Sequence, residues 1–184
     1  MADFYIYLIA GLPFLRFGQD APFSFSVFLQ KCADLIPEKD LEILKAISLG
    51  TESLYLDKHP ALKQRYLFER ALRNELVKIR ASRKKIDAAN YLRGDGYVEP
   101  WLSHIAINAY RNPSPIEAEK ILDAARWQFL DELSLGHYFD LEYLVAYAYK
   151  LLILERWQKV QAADKAKALE EVLTQKLIRA FYDQ

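Results

Sequence analysis

The sequence is short of several residue types, and each shortage excludes something. It has one cysteine, Cys32, so no internal disulfide framework holds the fold, and a reducing, cytoplasmic setting is expected. Six glycines and seven prolines in 184 residues are too few for the many turns of a β-sandwich. No G-x-x-x-x-G-K-[ST], G-x-G-x-x-G or H-E-x-x-H occurs, so the common phosphate-cradling and zinc-hydrolase signatures are missing. No apolar run reaches the ~18 residues of a membrane span; the nearest, "DLEYLVAYAYKLLILERW", is interrupted by Lys150. The start, "MADFYIYLIAGLP", lacks the basic opening of a signal peptide. Net charge is also missing: 25 basic groups balance 25 acidic ones.

What is present is a globular composition, 52% hydrophobic and 27% charged, in a chain long enough to bury a real core as one domain. Its periodicity predicts an all-α fold, an antiparallel bundle of about 6–8 helices, in which "FYIYLIAGLPFL" also reads as a short buried helix. Ser24 or Ser26 caps "VFLQKCADLI", which Pro37 ends, and Gly50 stops "EKDLEILKAISLG". Pro60 opens the longest unbroken pattern, predicting one long helix over 60–92, with Leu72, Ile79 and Ile86 seven apart as a partial seam. Ser114-Pro115-Ile116-Glu117 reads as a reciprocal capping box, and Asp140 caps the next helix. The residues from Gln161 on supply a final amphipathic helix.

Charge is unevenly distributed. Residues 63–93 carry ten basic and three acidic groups, while residues 1–62 and 94–137 are net acidic. At 100° per residue, Arg70, Arg73, Arg80 and Lys84 fall within an arc of ~80°, with Arg83 and Lys85 beside it. Glu69 lies one turn before Arg73 and offsets part of it. This stripe suits a solvated face or docking to an acidic protein surface. Nucleic-acid binding is not expected of a neutral chain.

On a helical wheel Leu141, Leu144, Val145, Ala148, Leu151 and Leu152 share one arc. That arc continues into Glu155 and Lys159, an i,i+4 pair that turns the buried face polar after Leu154. A helix this apolar on all sides belongs at the centre of a core, and its polar continuation should run into solvent or a partner. Arg70, Arg73, Arg80, Arg83, Lys84, Glu155 and Lys159 therefore form the candidate protein-interaction surface.

Catalytic chemistry has no foothold in this pattern. His59, His104 and His137 lie far apart and carry no Cys or carboxylate at metal spacing, which gives them turn, cap or core roles. "RGDG" reads as a surface turn. No acidic pair is brought by sequence into a dry site. No catalytic residue, metal or cofactor is expected.

Three stretches, "FYIYLIAGLPFL", "IEAEKILDAARWQFLDELSLGHYFD" and "LEYLVAYAYKLLILERW", together resemble a bacterial family encoded alongside V-type ATPase genes. That family is similar to the central-stalk subunit called C in prokaryotic and d in eukaryotic V/A-type ATPases. The likeness runs from about residue 4 to residue 160, and A-Y-x-x-K-L followed by E-R-W is its most specific part. It implies an all-α coupling part of a rotary motor, partnered by the rotor ring or central shaft and held at the membrane only through that complex. The central-stalk subunit is much longer, so its funnel shape and contact residues do not transfer. The alternative is a free-standing helical adaptor. A hydrolase or transferase would instead need a pocket of converging polar groups.

Overall fold

A computed structural model describes residues 5–94 and 100–182, with side chains as far as Asp164. Among these residues there are seven α-helices, two short 3-10 turns and no strand, as the periodicity predicts. The helices are α1 (Ile6–Ala10), α2 (Phe25–Ala33), α3 (Glu38–Leu49), α4 (Pro60–Lys84), α5 (Pro100–Arg111), α6 (Pro115–Leu133) and α7 (Leu141–Tyr182). Consecutive helices α4 to α7 pack on one another, while α2 and α3 close against α7 from the other side.

Local chemistry sets most of the boundaries. Ser24 accepts from the Val27 N–H at the start of α2, and Ser114 accepts from the Glu117 N–H at the start of α6. Asp140 does the same for α7 through the Tyr143 N–H. Each removes one orphan donor of a first turn, worth ~1 kcal/mol. Only half of the expected capping box forms. The Ser114 N–H is given to Asn112 Oδ1, and Glu117 turns outward towards Lys120.

Two helix lengths differ from expectation. The helix from Pro60 stops at Lys84 and not near residue 92. Lys85 adopts the left-handed conformation (φ 54°), and the Ile86 N–H bonds back to the Ala81 carbonyl. This is a Schellman-type stop made without glycine, which the pattern of apolar residues through Ile86 conceals. Conversely, the expected separate last helix is continuous with α7, which is the longest element among the described residues.

Two apolar clusters result. The larger joins α1, α2, α3 and α7 around Phe28, Leu44, Leu144, Leu151 and Leu154, with Leu62 and Leu130 reaching in from α4 and α6. In it α7 is buried on nearly every side, since Ala146, Tyr147 and Ile153 are buried as well as the predicted arc, of which Leu152 is half-buried. Lys150 is accommodated at its margin, reaching Asp131 at 2.6 Å across the Trp127 ring. Cys32 is fully buried here, and burial pushes its thiol up to about 12. Tyr5 ties α1 to α3 by hydrogen-bonding the buried Asp40 carboxylate. The smaller cluster packs Phe68 and Leu72 of α4 against Leu102 and Ala109 of α5 and Leu122 of α6. Phe68 stacks on Phe129 at 4.2 Å between ring centres.

Candidate functional site

The polar groups of α4 sort into an inner set that holds helices together and an outer set that lines a groove. At the centre of the inner set is Asp123 of α6, whose side chain is 0% exposed. Its carboxylate accepts from Arg126 Nη1 (2.8 Å), from Trp157 Nε1 (2.8 Å) and from the Arg156 guanidinium of α7. Arg126 also forks onto Glu69 of α4 at 3.0 and 3.1 Å. One chain of charges therefore crosses three helices. Burial would raise the Glu69 carboxyl, but the Arg126 hydrogen bond and the charges of Arg65, Arg126 and Arg73 outweigh it and hold it at about 2. Glu75, also buried, is met by Lys78 at 2.6 Å and by the Ser103 hydroxyl of α5.

The groove lies along the same helix, bordered by Glu69, and encloses about 730 Å³. Its floor is the face of α4 that carries Tyr66, Arg70, Arg73, Val77 and Arg80 at helical spacing. Near the start of α4 its wall comes from Glu52, Ser53 and Tyr149; near the other end it comes from Tyr91 and Arg93. The second wall is fastened in place. The buried Asn74 amide donates to the Arg93 carbonyl (2.9 Å) and accepts from the Arg93 N–H (3.1 Å). Gly94 (φ 77°) then lies against the Arg70 guanidinium, where a Cβ would come within 2.5 Å of Cζ. Glycine suits the left-handed φ here, and a side chain at residue 94 would also require the flexible Arg70 guanidinium to shift.

The groove is cationic. Among the described residues five arginines, Arg65, Arg70, Arg73, Arg80 and Arg93, line it with two glutamates, Glu52 and Glu69, the latter shared with Arg126. Arg65 is committed to Glu69 at 2.9 Å and lies over the Tyr149 ring. Burial and the neighbouring Glu52 carboxylate push the Tyr149 hydroxyl up, so it remains a neutral donor. Arg73 is 71% exposed and only loosely paired to Glu69 at 3.4 Å. Among the described residues, the Arg80 and Arg93 guanidinium groups have no partner. Two buried side-chain atoms are also unpaired, Arg65 Nε and Glu52 Oε2, and both residues line this groove.

The predicted interaction surface is thus divided. Arg70, Arg73 and Arg80 enter the groove. Arg83 turns away to the Tyr110 hydroxyl of α5 at 2.8 Å, and Lys84 is exposed at the end of α4. Glu155 does not pair with Lys159. Its carboxylate instead accepts the Phe25 N–H at 2.7 Å and caps α2 from a distance, whereas Lys159 is exposed. The polar turn after Leu154 is therefore partly internal, because an unpaired N–H of the α2 first turn draws the carboxylate inward. Sequence reasoning missed Tyr91, Arg93, Asn74 and Gly94 as site residues; of "RGDG", read as a surface turn, Arg93 and Gly94 are exposed and the last two lie outside the described residues. The one local hint was an arginine beside a glycine at the end of the basic segment.

His137 also departs from expectation, since its Nδ1 lies 2.6 Å from Asp140, and Glu142 brings a third potential metal ligand within 4.8 Å. Asp140 is already engaged in capping α7, which explains this grouping without an ion.

A family model described as "Protein of unknown function (DUF2764)" matches residues 101–180 of this chain, a stretch that runs from α5 into α7 and contains "LDAARW" and "LEYLVAYAYKLLILERW". No curated protein and no solved structure matches the chain.

Proposed function

We propose that this protein is a non-catalytic accessory subunit of a V-type rotary ATPase, partnered by the rotor ring or the central shaft. The observation that carries this reading is the likeness of its α1, α6 and α7 sequences to a family encoded with such ATPases. The motif residues have structural jobs consistent with a coupling part. Asp123, Arg126, Arg156 and Trp157 lock α6 to α7, and Tyr147 fixes the chain after α1 by donating to the Pro13 carbonyl at 3.0 Å. Beyond its last core residue, Leu154, α7 continues as helix to Tyr182, which supplies a stiff element for a partner to grip. No helix among the described residues is long and apolar enough to cross a membrane, so attachment would be through other subunits.

The test is affinity purification of the tagged protein from native membranes. Head, shaft or ring subunits should co-purify, and ATP hydrolysis by the purified chain should stay at background. Recovery of no ATPase subunit would overturn the reading in favour of a free-standing adaptor.

A further inference from the structure

The groove on α4 has properties that holding the fold together does not require. Its arginines come from two separated stretches of chain, and Asn74 and Gly94 serve to fasten the second stretch over the first. Two exposed guanidinium groups left without a partner among the described residues, Arg80 and Arg93, come from separate stretches and line one concave space with Arg73. That space, about 730 Å³, is the size of a small-molecule site. Planar guanidinium forks match phosphate oxygens two at a time, which a lysine cluster would not do. Two adjacent phosphates with one terminal group carry about three negative charges at neutral pH, and Arg73, Arg80 and Arg93 present three guanidinium groups to meet them. Tyr66 and Tyr91 add half-exposed aromatic rings beside these cations.

We propose that this groove binds a small molecule bearing two or three adjacent phosphates, held by Arg73, Arg80 and Arg93. The linked phosphates could belong to a nucleotide, with its base against Tyr66 or Tyr91, or to an inorganic polyphosphate. An acidic peptide is less well matched, because a single carboxylate offers a guanidinium fork less charge than linked phosphates do. The proposal does not rest on the ATPase reading. It is tested with the purified chain alone, so either can fail while the other stands.

The experiment is calorimetric titration of the full chain at physiological ionic strength with ATP, ADP, AMP, inorganic triphosphate and hexaglutamate. ATP, ADP and triphosphate should bind saturably at one site, and AMP more weakly. Arg80→Gln and Arg93→Gln should each weaken binding by about tenfold, the loss of one charge-assisted contact. Arg111→Gln, an equal charge change at the exposed end of α5, should leave it unchanged. Neither groove substitution removes a side-chain contact among the described residues, and retained helical circular dichroism verifies the fold of each variant. The double variant Tyr66→Ala/Tyr91→Ala separates the two sources of phosphate. Weaker ATP binding with unchanged triphosphate binding indicates a nucleotide, and equal behaviour indicates polyphosphate itself. No saturable binding of any phosphate compound at millimolar concentration would overturn the proposal. So would binding indifferent to both arginine substitutions, or hexaglutamate binding more tightly than triphosphate.

Discussion

The two halves of the molecule are held together by different means. Around α7, the half made of α1, α2 and α3 buries a broad set of aliphatic and aromatic side chains, and its buried polar residue, Asp40, is satisfied by one tyrosine. The half made of α4, α5 and α6 has a small apolar cluster but contains Asn74, Glu75 and Asp123, three of the four buried polar residues among those described. In the first half, area removed from water sets stability and shape together. In the second, the apolar cluster is too small to fix how the helices lie, and paired charges that tolerate few partners set the register. The groove belongs to this second half. A face that must keep arginines in fixed positions is served by polar anchors more than by interchangeable methyl groups.

The largest expected effect comes from breaking the polar half at its centre. Asp123→Ala removes the carboxylate shared by Arg126, Arg156 and the Trp157 N–H, although Arg126 keeps Glu69, and should destabilise the protein by about 3–5 kcal/mol in urea unfolding. An effect below ~1 kcal/mol would mean that the charge chain does not organise this half. In the apolar half, Leu144→Ala removes a fully buried side chain and should cost about 2–5 kcal/mol by the same measurement, with no effect on pH dependence.

Acid separates the halves more directly. The Glu69 carboxyl is held at about 2, below its ordinary 4.5. Its contribution is therefore complete above about pH 4.5 and is lost as pH falls towards 2, amounting to about 3 kcal/mol at most. Unfolding curves between pH 5 and pH 2.5 should show this loss, and Glu69→Gln should flatten it. The smallest expected effect is at the entry to α6, where Ser114→Ala should cost ~1 kcal/mol and lower the melting temperature by a few degrees.

The same division governs what the sequence discloses. Caps at Ser24, Ser114 and Asp140 are legible because donor and acceptor lie three residues apart. The central place of α7 is legible because no face of it is polar enough to meet water before Glu155. The ending of α4 at Lys84 is not, since a lysine in the left-handed region leaves no compositional mark. The basic stripe was half of the candidate site and was visible from helical spacing alone. Its other half depends on Asn74 reaching Arg93 across nineteen residues, and on the single carbonless face of Gly94. The fate of Glu155, spent on Phe25 across 130 residues, is likewise tertiary. Charge tells which residues seek partners, and only packing decides which of them remain available.

Cys32 gives the apolar half its own clock. Its thiol is fully buried and pushed up to about 12, so at neutral pH a maleimide or disulfide reagent finds neither access nor thiolate until α2 separates from α3 and α7. The rate of modification then reads the opening of that half alone, without hydrogen exchange or an added probe. The same silence makes the native chain a ready host for labelling. A cysteine placed at Lys84 or Lys159 would react by itself, and a pair of dyes there could follow the polar half while Cys32 keeps time for the other.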